Sequence, residues 1–209
     1  MKRLPPLAPV LVLALAFWAF AAFCASPSLW SGFVLFLALY VAPAFLARLL
    51  DLFRPLNEGI FEVDAIPALS WETARRLQAF YDALPFLEAA LRLIPGAYSV
   101  WLRLWGSRVG YGVAWPIELH VADRSLLQIG NRVIVGQRAS LSAHKLIVRD
   151  GKPFMVVKRV NVRDRAILEP GVMLEAGSHI AKGAIVPSGT LVAMDETFDP
   201  QRGAVAAPS

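Results

Sequence analysis

The stretch Val162–Val192, VRDRAILEPGVMLEAGSHIAKGAIVPSGTLV, returns an aliphatic residue at every sixth position: Val162, Leu168, Leu174, Ile180, Val186 and Val192. Four positions after each of the first five stands Ala166, Val172, Ser178, Ala184 or Thr190. A period of six matches neither the ~3.6 residues of a helical turn nor the ~2 of an ordinary strand. It matches a solenoid in which each flat side is one short strand plus a corner, three sides completing a triangular coil. The recurring aliphatic residue then points into a narrow prism and stacks on its equivalent in the next coil, so only Ile, Leu or Val fills it without voids. Gly171, Gly177, Gly183 and Gly189 fall three positions after it, beside the corner, where tight or positive-φ backbone is needed. Amphipathic strands of a sandwich are the rival reading, but their spacing is longer and less regular.

A second block keeps the period in another register. Ile129, Val135 and Leu141 are six apart, with Gly130 and Gly136 directly after the first two. Val109, Trp115, Val121 and Leu127 hold the spacing more loosely and read as an opening coil. Between the blocks, Val148–Asn161 (VRDGKPFMVVKRVN) breaks the register and carries Asp150-Gly151, a strong turn signal, so a loop or hairpin should project there. Residues 106–193 are thus assigned to the repeat prism, and 194–209 to a polar tail with little reason to fold.

The N-terminal half answers to a different solvent. Ala8–Cys24 and Trp30–Ala47 are almost wholly apolar, and no Asp, Glu, Lys or Arg lies between Arg3 and Arg48. Each is close to the ~20 residues that span ~30 Å of hydrocarbon. Ser26-Pro27-Ser28 leaves room only for a tight turn, so residues 1–50 read as a transmembrane helical hairpin. Lys2 and Arg3 before it, and Arg48 and Arg54 after it, put both ends and the repeat domain on the cytoplasmic side of the inner membrane. A cleaved signal peptide fits less well, because Ala19-Phe20-Ala21 lies inside the apolar run and a second apolar segment follows at once. Cys24, the sole cysteine, has no intrachain partner.

Residues 51–105 form a helical connector. Ser70 is the expected N-cap of a helix over Trp71–Ala83, Pro85 ends or restarts it, and Phe86–Leu93 follows before Pro95-Gly96. Tyr98–Trp105, YSVWLRLW, suits either the membrane interface or the open end of the first coil. The net charge of +5 suits anionic headgroups or a phosphate-bearing ligand, but no basic and aromatic cluster points to nucleic acid.

Chemistry is left to three histidines, His120, His144 and His179. They are too dispersed, with one cysteine, to make a metal site. His144, in ASLSAHKL, ends the best-formed coil, where a neutral imidazole is suited to act as a general base. Asn131 and Ser142 are the polar residues nearest to it in the repeat frame, placed to orient the imidazole or a substrate. Both residue types also serve as plain corner residues. His120 and His179 read as structural or solvent-facing.

Ile129–His144, IGNRVIVGQRASLSAH, followed by the repeats, resembles the left-handed β-helix hexapeptide acyltransferases. More narrowly, Gly106–Val192 resembles membrane-associated hexapeptide modules found with some peptide synthetases and polysaccharide gene sets, through SRVGYGV, DRSLLQIG, His144 and DRAILEPGVMLEAG. The resemblance implies a mainly β, left-handed parallel β-helix that forms homotrimers, with sites shared between prisms. It also implies acyl-CoA as a co-substrate lying between coils, no covalently bound cofactor, and His144 as the base on an acceptor hydroxyl or amine. The acceptor would be lipid-linked, hydrophobic or glycan. A non-catalytic trimeric scaffold at the membrane is the alternative. A γ-type carbonic anhydrase on the same prism lacks its histidine pair here. The chain departs from the family's Gly-x-Pro-Ala ending, which leaves an acyl carrier protein open as donor. Arg165 stands where the other corners carry Gly, and that corner is expected to differ.

Overall fold

The six-residue period folds into a three-sided prism of parallel strands. The computed structural model describes residues 7–199, except 54, 56, 64 and 65. The described residues form six α-helices: α1 (Leu7–Ala25), α2 (Leu29–Phe36), α3 (Ala42–Phe53), α4 (Ile66–Ala83), α5 (Pro85–Arg92) and α6 (Ala97–Trp105). Their strands are β1 (Gly59–Glu62), β2 (Arg108–Val109), β3 (Leu119–Val121), β4 (Leu127–Ile129), β5 (Ile134–Val135), β6 (Ala139–Leu141), β7 (His144–Arg149), β8 (Lys152–Val157), β9 (Val160–Val162), β10 (Ile167–Leu168), β11 (Met173–Leu174), β12 (His179–Ile180), β13 (Ile185–Val186), β14 (Leu191–Val192) and β15 (Thr197–Phe198).

The chain visits three faces in turn. β2, β4, β9, β12 and β15 make the first, β5, β10 and β13 the second, with a bridge from Ala114 to Ile134, and β3, β6, β11 and β14 the third. The register places the periodic residues one above another. Ile129, Val162 and Ile180 stack on the first face, Val135, Leu168 and Val186 on the second, and Val121, Leu141, Leu174 and Val192 on the third. All of them are buried. The two sequence blocks therefore share one spatial frame, and only the insert between them shifts the count.

Corners depend on residues three positions after each stacked one. Gly171, Gly177, Gly183 and Gly189 adopt φ of 70° to 77° there, and Arg132, Arg138, Arg165 and Asp195 adopt φ of 55° to 61°. Arg165 thus makes the same left-handed corner as its glycine equivalents, which corrects the expectation of a different one. A single non-glycine in this region costs only about 1–2 kcal/mol, and the exposed Arg165 side chain meets nothing that forbids it. Gly130 serves another purpose: a Cβ on it would lie 2.5 Å from the Asp164 backbone nitrogen, so it permits coils to approach.

The insert is a hairpin, β7 against β8, closed by Asp150 (φ 49°) and Gly151 (φ 73°) between the paired Arg149 and Lys152. Positive φ at both central residues is the geometry that suits the twist of a two-residue hairpin. The hairpin begins at His144, four residues earlier than the break in the repeat suggests. β1 adds antiparallel to the other edge of β8, so the connector is not helical throughout. Four residues, GIFE, are too short a run to specify a strand by themselves and are extended where β8 offers an edge.

The prism also runs past residue 193. Thr197 and Phe198 pair with His179 and Ile180, and Asp195 turns the preceding corner while Lys158 Nζ reaches its carboxylate at 2.6 Å. Residues 200–209 of the expected tail lie outside the described residues.

At the N-terminal end, Ser28 and Ser31 form a reciprocal capping box that starts α2. Leu29–Phe53 is one 25-residue helix, long and apolar enough by length and composition to cross a membrane; Pro9–Ala25 is shorter. Its middle, Leu37–Val41, widens to a π-turn in which Ala42 N–H bonds Leu37 O. Pro43, with no N–H, leaves the Leu39 carbonyl free of its intrahelical donor. Tyr81 of α4 donates to that carbonyl at 2.6 Å, and Trp101 of α6 donates to Tyr40 O at 3.0 Å. α4 starts at Ile66, with Pro67 in its first turn, so Ser70 is inside the helix and not its cap. Pro85 restarts the chain as the first residue of α5. α6 buries Tyr98, Trp101, Leu102 and Trp105 over the first coil and turns Val100 and Leu104 outward.

Candidate active site at the junction of coil and hairpin

β3 and β6 are neighbours on the third face, with Val121 opposite Leu141. Both segments leave that face at the same corner, where Ala122 N–H donates to Leu141 O at 2.9 Å. The residues that follow are therefore brought together. Asp123 Oδ2 accepts from the Ala143 N–H at 2.9 Å and lies 2.7 Å from His144 Nδ1. From α4, Trp71 Nε1–H donates to Asp123 Oδ1 at 3.0 Å, and its indole lies beside the imidazole with ring centroids 4.7 Å apart. The Asp123 side chain is 3% exposed and the imidazole 24%.

This arrangement assigns the tautomer. An ionised carboxylate only accepts hydrogen bonds, so Asp123, which already accepts from the Ala143 and Trp71 N–H groups, places the imidazole proton on Nδ1 and leaves the lone pair on Nε2. A partly exposed imidazole, oriented on one side by a buried carboxylate and flanked by an indole, is equipped to take a proton from a group arriving at Nε2.

The loop that carries Asp123 is gripped from behind. Arg124, 3% exposed, donates through Nε to Glu88 Oε1 at 2.6 Å and through Nη2 to Asp82 Oδ1 at 2.9 Å, while Gln78 Oε1 accepts from the Arg124 N–H at 2.8 Å. Glu88 also accepts from Tyr98 OH at 2.8 Å and pairs with Arg92. Burial alone would lower the Arg124 pKa, but Glu88, Tyr98 and Asp82 hold it above its ordinary value. Burial pushes the Asp82 carboxyl up, yet Arg124 and Arg75 outweigh it and keep it below the usual carboxylate range. Tyr81 and Tyr98 are raised mainly by burial. The network ties α4, α5 and α6 to the corner bearing Asp123.

Ser142 lies two residues from His144, and its hydroxyl donates to the His144 carbonyl at 2.9 Å, fixing the backbone where the hairpin departs. Asn131 is elsewhere, at the corner between the first and second faces. Its backbone N–H and Nδ2 donate to Asp164 Oδ1 at 2.7 and 3.3 Å, and its Oδ1 accepts from Tyr111 N–H at 3.0 Å. The groups that touch the imidazole are thus Asp123 and Trp71, where the sequence frame had put Ser142 and Asn131. His120 is exposed on the third face. His179 faces outward on the first, where burial and Arg163 depress its pKa. Among the described residues no three His, Cys, Asp or Glu side chains group as a metal site would need.

Asp123 had one sequence signal: it sits one coil before Ala143. That coil is 20 residues long, and the loose spacing of the opening coil hides the match. Trp71 had none, because the rest of α4, with α5 and α6, separates it from the prism in sequence.

No family model matches the chain, and no curated protein matches it in sequence. Three of the solved structures similar to it are acetyltransferases. One is a hexapeptide-repeat containing acetyltransferase from Vibrio cholerae O1 biovar eltor, complexed with acetyl coenzyme A (15% identity, 57% of this chain and 83% of that chain, TM-score 0.36). The second is a maltose O-acetyltransferase from Clostridium difficile 630 (11% identity, 57% and 81%, TM-score 0.27). The third is serine acetyltransferase isoform 3 from Entamoeba histolytica, in complex with cysteine (11% identity, 96% and 71%, TM-score 0.23). At these scores the β-helix of this chain stands on the register of its own strands.

Proposed function

We propose that the chain is a membrane-anchored, left-handed β-helix acyltransferase that moves an acyl group from acyl-CoA to a hydroxyl or amine of a lipid-linked, hydrophobic or glycan acceptor. The observation that carries this reading is the Asp123–His144 pair, 2.7 Å apart, at the one junction where the repeat gives way to a hairpin. His144 Nε2 takes the acceptor proton as its oxygen or nitrogen attacks the thioester carbonyl. The tetrahedral intermediate expels the thiolate, which receives that proton from the imidazolium, and the acyl group stays on the acceptor. Asp123 stabilises the imidazolium formed on the way.

The anchor is the apolar hairpin of α1 with the Leu29–Phe53 helix. Its flanking Lys and Arg residues support a cytoplasmic prism at the inner membrane. Confinement there would keep the enzyme on the surface that holds its acceptor. Outward-facing Ile134, Ile167 and Ile185 on the second face, with Met173 and Leu191 on the third, support a homotrimer.

The test compares whole lipid and surface-glycan extracts, by mass spectrometry, from cells carrying wild type, a deletion and His144→Ala. One species should gain an acyl mass with wild type alone, and that mass names donor and acceptor together. Identical extracts, with the variant present and folded, would leave a scaffold.

A further inference from the structure

Two grooves meet beneath α6, and neither is lined by Trp71, Asp123 or His144. The larger, about 990 Å³, runs between the apolar Leu29–Phe53 helix and the first coil, with walls that include Phe36, Val41, Val100, Leu104 and Val113. Phe36, Val100 and Leu104 are exposed, so this groove opens along the same apolar surface that the long helix presents. Of its charged lining residues, Arg92 is paired with Glu88. The other, Arg103, stands at the far end beside Gly110.

Arg103 and Gly110 also line the second groove, of about 420 Å³, together with Arg108 and Arg163. Arg103 gives Nε and Nη2 to the carbonyls of Val109 and Gly110, and none of the three arginines has an ion-pair partner among the described residues. Asp164 is the one acid lining this groove, and its Oδ1 already accepts from Asn131. An apolar channel that begins on a membrane-type helix and ends on three guanidinium groups against a single carboxylate has the polarity of an anionic amphiphile. We infer that these joined grooves bind an anionic phospholipid of the bilayer, one alkyl chain in the larger groove and the phosphate at Arg103, Arg108 and Arg163.

This site rests on the membrane-anchored reading, because the bilayer supplies its ligand. Apolar walls bury the chain, and near-surface arginines attract the phosphate. Because neither groove is lined by Asp123 or His144, it is a lipid seat separate from the proposed chemistry.

The full chain is reconstituted in phosphatidylcholine vesicles carrying either a phosphatidylglycerol or a phosphatidylcholine with a diazirine in one acyl chain, irradiated, floated and peptide-mapped. The phosphatidylglycerol probe should label Phe36, Val100, Leu104 or Tyr111. Ala97→Trp, which fills the groove, should remove those adducts. Arg108→Glu with Arg163→Glu leaves the apolar walls intact and should lower the preference for phosphatidylglycerol by about tenfold. Protein that floats but carries adducts only on the outer surfaces of α1 and α2, or variants labelled as wild type, would overturn this site alone. Protein that fails to float would overturn the anchor and the site together. Adducts displaced by palmitoyl-CoA but not by unlabelled phosphatidylglycerol would give the groove to the donor and overturn the assignment to a bilayer lipid.

Discussion

At His144 the property that matters is which ring nitrogen carries the proton, and a single carboxylate controls it. In Asp123→Asn the amide would turn its NH2 toward Nδ1, protonate Nε2 by default and remove the base. Acyl transfer should fall by about 10²–10⁴-fold, measured as free thiol released from acyl-CoA. The fold should be kept, with the amide oxygen still accepting from Trp71, but the Ala143 N–H loses its acceptor and stability should fall by about 1–3 kcal/mol. An unchanged rate would exclude His144 as the base. A second residue tests the prism: Ser178 occupies the buried position that Ala166 and Ala184 fill in neighbouring repeats, and its hydroxyl has no partner among the described residues. Ser178→Ala should therefore stabilise the protein, by about 1 kcal/mol, read from denaturant or thermal unfolding. Residue type and position made His144 legible in the sequence. Asp123 was not, because its meeting with His144 depends on the length of a coil whose spacing is irregular.

Among the elements, the repeat strands could be read one by one from their period, and the hairpin from Asp150-Gly151. The strand β1 and the mutual grip of α4, α5 and α6 could not, since each exists through partners distant in sequence. Pro43 shows why: the proline is visible in the sequence, but that Tyr81 from α4 takes up the carbonyl it frees is a tertiary fact. The same helices hold Asp82 beside Arg75 and Arg124 at the protein's ionic junction. Burial raises the Asp82 pKa but the two arginines lower it by more, so the folded value lies below the unfolded one of about 3.9. The sign follows from linkage. The stabilisation is complete above the unfolded value and is lost as pH falls through the folded one. Asp82→Asn should lower the unfolding midpoint at neutral pH and flatten its decline below about pH 4. A parallel decline in variant and wild type would show that other carboxylates govern acid unfolding.

For the whole molecule, the three outer faces of the prism differ in a way the fold itself does not require. Outward positions beside the buried stack are Arg108, Gln128, Asn161, His179 and Thr197 on the first face, but Ile134, Ile167 and Ile185 on the second, and His120, Ser140, Met173 and Leu191 on the third, where the last two are apolar. Ile134, Ile185, Met173 and Leu191 are between 44% and 54% exposed. A parallel ladder closes its hydrogen bonds whatever these side chains are, so apolar residues aligned on two adjoining faces mark a surface meant to be covered. Copies of the same chain, packed around the edge between those faces, would cover it. Ile185→Glu with Leu191→Glu should then convert a trimer into monomers, measured by light scattering in mild detergent. The far-ultraviolet circular dichroism should be unchanged, because Val186 and Val192, not their outward neighbours, fill the prism. A mass that stays trimeric would move the subunit contact to the apolar hairpin, and loss of the β signal would mean that these positions support the coil itself.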